Sequence, residues 1–304
     1  MTIEKRKVLL DFDGNLTNEE KQAAELKGIA LSMLADILAH PISDIEAHYQ
    51  QIKDQILQDP HLYPWEVNGL PACYAYEGAY LLNTGILQHL LRSNPHFQKI
   101  VEAKFSSPDI DPVTACVNHL FHEGSLSVNP HFLPEARDFL IDLITNTSLE
   151  PIIFTNSETR KIAANLRHLE IGAVSTTHAF PHEIGVLGDT RQYYLDRNWP
   201  VTFDHPTHGP IQILPIGDDR FQIELRRPIY YAALSRLLDQ GYHDIVVVAD
   251  GFTLAGALPL MMGLSFILHK TSFTPTWAES YVANHPRGRV ASGLAQVRQA
   301  IDLV

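Results

Sequence analysis

Two aspartates separated by one residue follow a short apolar run near the start of the sequence. The run covers residues 8–10 and leads to Asp11 and Asp13, with Gly14 immediately after them. Three apolar residues are too few for a helix but suit a buried strand, so we expect both acids where a strand gives way to a loop. Two carboxylates at such a place can hold Mg²⁺ while one attacks an electrophile and the other transfers a proton. The alternative is a strand that ends in an ordinary Asp-Gly turn.

Two later apolar runs also end in polar side chains. The run at residues 152–154 leads into Thr-Asn-Ser at 155–157, and the run at 245–249 ends at Asp250. Ligands of open α/β sheets bind beyond the carboxyl ends of the strands, which makes these positions candidates for a site. The hydroxyl and backbone N–H groups at 155–157 could hold an anion at a helix N-terminus. Alternatively, these residues only cap the helix predicted over 158–169, and both roles can coexist.

The residues at these strand ends resemble a known family. The stretch 8–17, VLLDFDGNLT, resembles the first motif, D-x-D-G-T-L, of the haloacid dehalogenase-like (HAD) superfamily, with Asn15 in place of the usual threonine or valine. Thr155 resembles the second motif, and Asp250 resembles the first acid of the fourth. The resemblance implies a doubly wound, Rossmann-like α/β fold with a mainly parallel sheet and a helical cap domain inserted after the first strand.

The same resemblance implies a role for each side chain. Asp11 would attack phosphorus to give an aspartyl-phosphate, and Asp13 would protonate the leaving oxygen and then activate water. Mg²⁺ would be held by Asp11, by the main-chain carbonyl of Asp13 and by Asp250. The phosphoryl oxygens would be held by Thr155, Asn156 and Arg227. Dehalogenases of the family generally lack the second acid of the first motif, so Asp13 favours phosphoryl chemistry.

Arg227 is a candidate because of its place in the sequence. It precedes Pro228 and a predicted helix, where the family often has the pair Lys-Pro. A positive charge at a helix N-terminus opposes the helix dipole, which favours a functional role over that of an ordinary solvated arginine.

One acid of the family pattern is missing. The second acid of the fourth motif usually follows the first by four or five residues, and here those positions are Leu254 and Ala255. Charge count is a main control on the affinity for hard cations, so the sequence predicts weak Mg²⁺ binding. It also leaves open a second interpretation, a HAD-fold protein that has lost catalysis and serves in binding or interaction.

Helical patterning dominates residues 18–129. Apolar residues at spacings of three and four predict helices over 21–39, 43–57, 78–91 and 112–121. An insertion directly after the first motif is where the family carries its cap, a lid that closes over the site. The alternative is a helical subdomain with no gating role.

Residues 1–17 and 130–304 are predicted to form the α/β core. An extra β element is expected at about 200–226, where residues 211–214 and 221–225 read as a hairpin joined across Gly217, Asp218 and Asp219. The uncharged stretch 251–268 is interrupted by glycine and proline, so we interpret it as a loop, a short buried helix and a strand rather than a membrane span. Further helices are expected over 134–144, 229–238 and 293–304, and a strand over 264–269.

Histidines in the region 171–226 suggest a metal site only weakly. They are His178, His182, His205 and His208. His205 and His208 have a spacing that can ligate a metal, but no acid or cysteine completes a recognisable set of ligands.

Composition limits the partners and the compartment. The 304 residues are 45% hydrophobic and 19% charged, the balance of an ordinary globular protein, and the net charge of -12 disfavours nucleic acid as a partner. Cys73 and Cys116 lie far apart, which argues against a disulfide framework and favours a reducing, cytoplasmic location. The apolar run after the basic N-terminus is too short for a signal peptide. The expected partner is a small phosphorylated metabolite, with no membrane involved.

Overall fold

The computed structural model describes residues 5–174, 180–217 and 221–304. The chain begins with β1 (Arg6–Leu10), followed by α1 (Glu19–Leu38), α2 (Ile42–Gln58), β2 (Pro64–Val67), β3 (Leu70–Tyr74), α3 (Ala79–Ser93), α4 (Pro95–Lys104) and α5 (Pro112–Ser125). It continues with α6 (Ala136–Thr145), β4 (Leu149–Phe154), α7 (Thr159–Leu166), β5 (Ile171–Ala173), β6 (His182–Leu187), β7 (Phe203–His205), β8 (Gly209–Ile211), β9 (Ile213–Ile216) and β10 (Phe221–Glu224). It ends with α8 (Pro228–Asp239), β11 (Ile245–Ala249), α9 (Ala257–Met261), β12 (Ser265–His269), α10 (Thr276–Asn284), β13 (Gly288–Ala291) and α11 (Leu294–Leu303).

Seven of the strands in the described ranges form one sheet. Their order across the sheet is β13-β12-β11-β1-β4-β6-β5, and each neighbouring pair is parallel. β1 lies between β11 and β4, so the sheet extends to both sides of β1. Because the three strands are parallel, their carboxyl ends are neighbours. This is the doubly wound parallel sheet that the sequence predicts, and it opens a crevice at the end of β1.

The two faces of the sheet bury different residues of the same strands. Val8 and Leu10 pack with α6, α7 and α11 on one face, while Leu9 packs with α8, α9 and α10 on the other. Successive side chains of a strand point to opposite faces, so a run of three apolar residues serves both layers. The burial on both faces fixes the position of Asp11 at the strand end.

The segment between β1 and α6 is helical, as predicted, but it also contains a hairpin that the sequence analysis missed. β2 and β3 pair as antiparallel strands across Asn68 and Gly69, whose φ angles are 54° and 71°. An Asn-Gly pair is the preferred two-residue hairpin turn, because both positions need φ > 0. This pair is the signal that could have revealed the hairpin. The helix α4 was also missed, and the role of the segment as a lid stays a prediction.

The two connections between this segment and the sheet run side by side. Thr17 forms an antiparallel bridge with Phe132, and the N–H of Asn18 donates to the carbonyl of His131 at 2.6 Å. The bond from the N–H of Leu133 to the carbonyl of Leu16, at 2.9 Å, continues the pairing. Both ends of the segment therefore leave the core at one place.

The extra β element is present as two hairpins. β9 pairs with β10, as predicted, although the turn residues Asp218 and Asp219 lie outside the described residues. β7 pairs with β8 around the tip that carries His205 and His208, whose Nδ1 atoms are 3.0 Å apart and exposed. His178 also lies outside the described residues, and His182 begins β6. No acid or cysteine joins these histidines within the described ranges.

The stretch 251–268 forms the short helix α9 and the strand β12, as predicted, but a π-helical turn, Phe252–Gly256, stands where a loop is expected. No single helix in the described part of the chain has the length and apolar content to cross a membrane. The pair α1 and α2 has both only when the two helices are taken together, and they are bent by 120° relative to each other. Cys73 and Cys116 are both buried and form no disulfide.

Candidate active site

Asp11 and Asp13 stand at the end of β1, where the sequence predicts them. The N–H of Phe12 donates to the Oδ1 of Asp11 at 2.7 Å, which fixes that carboxylate beside its own main chain. Burial raises the pKa of Asp11 to about 7, and the negative charge of Asp13 adds to the shift, while the Phe12 N–H and the Thr155 hydroxyl oppose it. A carboxyl group with such a pKa is ionised only partly at neutral pH unless a cation lies beside it.

Asn15, which replaces the usual residue of the motif, supports the loop from within. Its Nδ2 donates to the main-chain carbonyl of Asp11 at 2.9 Å, and its Oδ1 lies 3.0 Å from the Nδ1 of His269 at the end of β12. Both side chains are buried, and burial lowers the pKa of His269. The polar replacement therefore has a buried partner and helps to hold the acid-bearing loop.

The end of β4 places hydroxyl groups beside these acids. The Oγ of Ser157 donates to the Oδ2 of Asp13 at 2.6 Å, and the hydroxyl of Thr155 lies close enough to Asp11 to lower its pKa. Lys161 in the first turns of α7 has its Nζ 3.8 Å from the same Asp13 oxygen and 3.4 Å from the Ser157 Oγ. The cap of α7 is Glu158, whose side chain makes no capping bond, so residues 155–157 do not serve as a side-chain cap.

Asp250 follows β11 and packs against the backbone of Gly14. A Cβ atom at position 14 would come within 2.0 Å of the Oδ2 of Asp250, and Gly14 has a φ of +73°. Only glycine satisfies both conditions, so this residue allows the third strand end to approach the first. Burial raises the pKa of Asp250 well above its usual value, and the negative charges of Glu19, Asp11 and Asp13 raise it further.

Glu19, which the sequence analysis did not identify, is a fourth acid at this site. It lies in the first turn of α1, and its Oε1 accepts the N–H of Tyr80 at 2.7 Å. The carboxylate thereby caps α3, whose own cap residue, Gly78, has no side chain to do so. Burial raises the pKa of Glu19 to about 7, and the charges of Asp13 and Asp11 contribute. The Glu-Glu pair at the start of a helix directly after the motif was the available signal.

Arg227 corrects the sequence-based interpretation. Its side chain is fully buried, and its three nitrogens donate to main-chain carbonyls: Nε to Glu224 at 3.0 Å, Nη1 to Gln192 at 2.5 Å and Nη2 to Ala72 at 2.6 Å. It does not line the cavity described below. The guanidinium ties β3 to the core and is not placed to bind a phosphate in that cavity, whereas Lys161 does line it.

Asn156 lines the cavity, but its side chain also holds a loop. Its Oδ1 accepts the N–H of Gln192 at 2.7 Å and the hydroxyl of Thr190 at 3.4 Å. Glu77 also lines the cavity, and its carboxylate accepts the N–H of Thr253 at 2.9 Å and the hydroxyl of the same residue. Burial raises the pKa of Glu77.

A cavity of about 200 Å³ joins these groups. Its polar end is lined by Asp11, Asp13, Glu19, Thr155, Ser157, Lys161 and Asp250. The rest of its wall comes mainly from the segment after β1 and from Tyr193 and Leu254. The structure thus brings every predicted site residue except Arg227 to one cavity. The apolar residues Leu254 and Ala255 border it, where the family has its second acid.

The donor set at the polar end suits a hard divalent cation. The carboxyl groups of Asp11, Glu19 and Asp250 lie close enough for their charges to repel one another, and the Oδ1 of Asp13 is buried without a hydrogen-bond partner in the described chain. A cation would offset that repulsion and favour the ionised forms. Across the described ranges, no three acid, histidine or cysteine side chains already have the geometry of a metal site.

No protein-family model and no curated protein matches this sequence. Solved structures are similar to it over nearly its whole length. The HAD-hydrolase YfnB of Bacillus subtilis, bound to magnesium, is 11% identical with a TM-score of 0.45, and the match covers 98% of this chain and 99% of that one. A predicted phosphoglycolate phosphatase of Haemophilus somnus is 13% identical with a TM-score of 0.45 and 99% of each chain covered. A 2-haloacid dehalogenase of Pseudomonas syringae is 14% identical with a TM-score of 0.42, covering 98% and 99%.

In the present chain a parallel sheet with β1 at its centre brings Asp11 and Asp250 together from neighbouring strand ends. The order of the strands gives the chain the doubly wound, mainly parallel α/β fold that its sequence predicts.

Proposed function

We propose that this protein is a hydrolase of the HAD type, and specifically a Mg²⁺-dependent phosphatase of a small phosphorylated metabolite. The observation that carries the proposal is the convergence in one cavity of two acids that follow β1, a hydroxyl that follows β4, a lysine of α7 and an acid that follows β11. A nucleophile, a proton-transfer group and a cation for the phosphate are the parts that phosphoryl transfer through an enzyme carboxylate requires.

In this proposal Asp11 is the nucleophile and Asp13 the acid and base. An oxygen of Asp11 attacks phosphorus, the bond from phosphorus to the ester oxygen breaks, and that oxygen takes a proton from Asp13. Asp13 then accepts a proton from a water that attacks the phosphorus, and the bond from phosphorus to Asp11 breaks to release phosphate. Ser157 and Lys161, which contact the Oδ2 of Asp13, hold it in place. Thr155 and Lys161 stand where they can bind phosphoryl oxygens.

Magnesium would be held by Asp11, the main-chain carbonyl of Asp13 and Asp250, with Glu19 as a further acid at the same end. When bound, it would neutralise the charge of the phosphate and of the surrounding carboxylates. The residues themselves supply the nucleophile, the proton transfer and the exclusion of water.

The second candidate is a HAD-fold protein without catalysis. The observation that favours it is the apolar pair Leu254 and Ala255 at the position of the missing acid. Such a protein would bind a phosphorylated ligand in the same cavity but would not turn it over.

The test is release of inorganic phosphate from a panel of phosphate esters, with Mg²⁺ and with EDTA. We expect turnover that requires Mg²⁺, that disappears in Asp11→Asn and that falls about a hundredfold to ten-thousandfold in Asp13→Asn. Asp239→Asn, at an exposed position of α8, is the matched control and should retain full activity. Unchanged turnover in Asp11→Asn would exclude the covalent mechanism, and no turnover of any ester by the wild type would favour the second candidate.

A further inference from the structure

The wall of the cavity away from the acids is mostly apolar. The segment after β1 contributes Leu26, Trp65, Leu81 and Phe121, and the core adds Tyr193 and Leu254. Trp65 and Tyr193 lie against each other with their ring centroids 5.5 Å apart and their planes tilted by 45°. This wall offers apolar and aromatic surface to whatever part of a substrate extends beyond the phosphate.

The polar groups on the same wall are neutral or already engaged. The hydroxyl of Thr84 donates to the carbonyl of Tyr80 at 2.8 Å, and that of Ser125 donates to the carbonyl of His122 at 2.9 Å. Burial lowers the pKa of His122, which favours its neutral form. Asn118 is the remaining polar residue contributed here by α5, and its side chain carries no charge.

The charged groups around the cavity are distributed unevenly. Among the described residues that line it, Lys161 is the only permanent cation, and it lies at the end of Asp13 and Ser157. The acids Glu19 and Glu77 also face the cavity. A second anionic group on a substrate would lose its hydration against apolar side chains and would meet carboxyl groups in place of a cation.

We propose that the phosphate ester taken by this site has an uncharged and largely apolar leaving group, aromatic or branched aliphatic, and that esters carrying a carboxylate or a second phosphate are rejected. The proposal rests on the function proposed above, because it concerns the alcohol released from the same cavity. In this proposal the phosphate binds at the strand ends. The leaving group is selected by the apolar wall, which includes Leu26, Trp65, Leu81 and Tyr193.

A matched pair of esters tests this selection. Benzyl phosphate and 4-carboxybenzyl phosphate differ by one carboxylate, and we expect kcat/KM to be about a hundredfold or more higher for the first. Leu81→Lys places a cation on the wall and should raise kcat/KM for the carboxylated ester while lowering it for the neutral one. Leu81→Met keeps the wall apolar and should keep the preference of the wild type. Equal rates for the two esters, or faster turnover of the carboxylated one, would overturn the proposal.

Binding separates this proposal from the proposed chemistry. Benzylphosphonate and 4-carboxybenzylphosphonate cannot be hydrolysed at phosphorus, and calorimetry with Mg²⁺ should show tighter binding of the neutral compound. If no ester is hydrolysed but this preference in binding holds, the phosphatase proposal fails and the selectivity stands. If the carboxylated phosphonate binds as tightly or more tightly, the selectivity fails whatever the enzyme does with esters.

Discussion

The carboxylate of Glu19 has neighbours of opposite electrical character. On one side the N–H groups at the start of α3 stabilise it, and on the other it faces the acids Asp11, Asp13 and Asp250. A helix N-terminus favours a negative charge, so Glu19 can remain an acid in a crowded acidic site.

We predict that Glu19→Gln raises the Mg²⁺ concentration for half-maximal activity about tenfold, since loss of an outer group at a metal site weakens metal binding on that order. Glutamine keeps an oxygen that can accept the Tyr80 N–H and removes only the charge. Glu20→Gln, at the exposed neighbouring position, is the control. The measurement is calorimetric titration with Mg²⁺ beside the activity curve. An unchanged midpoint in Glu19→Gln would mean that this carboxylate serves only to cap α3.

Site residues at strand ends can be predicted from the sequence more reliably than site residues whose side-chain orientation depends on contacts distant in the chain. The positions of Asp11, Thr155 and Asp250 follow from apolar runs and from the rule that sites lie at carboxyl ends of parallel strands. Arg227 was placed at the correct helix start, but its direction depends on carbonyls of Gln192 and Ala72, 35 and 155 residues away. No local pattern encodes such partners.

At the scale of elements, three hydrogen-bonding contacts hold the segment after β1 against the core, two of them buried and one partly buried. Arg227 donates to the carbonyl of Ala72, the hydroxyl of Tyr74 accepts the N–H of Gln222 at 2.9 Å, and Glu77 accepts from Thr253. Opening of the segment as a lid would leave the Arg227 charge and the Glu77 acid without these partners, which costs free energy. The hairpin β2–β3 and its flanks are therefore the part that has to detach.

Limited proteolysis should cut near residues 18–22 or 125–130, where the segment joins the core. A phosphate analogue with Mg²⁺ should slow the cutting, because lids close over bound ligand. Arg227→Lys should speed it several-fold, since one ammonium group cannot replace a guanidinium that bonds three separate carbonyls. Arg236→Lys, at an exposed position of α8, is the control. A rate of proteolysis that changes neither with the phosphate analogue nor in Arg227→Lys would indicate a fixed subdomain.

For the whole molecule, the group of buried acids is a source of instability when no cation is present. The folded protein retains the proton of Asp250 to higher pH than the unfolded chain, in which the carboxyl pKa is near 3.8. The free energy of unfolding therefore falls as pH rises above that value. Active sites commonly trade stability for function in this way.

We predict that Asp250→Asn stabilises the protein in EDTA by about 1–2 kcal/mol at pH 8 and by less at pH 5, where the wild-type carboxyl reduces the free energy of unfolding by a smaller amount. Added Mg²⁺ should raise the melting temperature of the wild type and leave that of the variant unchanged. Thermal unfolding at both pH values, with and without Mg²⁺, is the measurement. A variant less stable than the wild type in EDTA at pH 8 would contradict the role assigned to repulsion among the acids.

The bond from Thr253 to Glu77 has a thermodynamic consequence. Thr253 lies three residues after Asp250, so the turn that follows this proposed metal ligand is also hydrogen-bonded to the segment after β1. In the proposed enzyme, docking of this segment against the core and binding of the cation are coupled equilibria. The factor by which docking raises the affinity for the cation must equal the factor by which a bound cation raises the equilibrium constant for docking. The cellular concentration of free magnesium would then set how often the cavity is closed, as well as how fast phosphate is released from it.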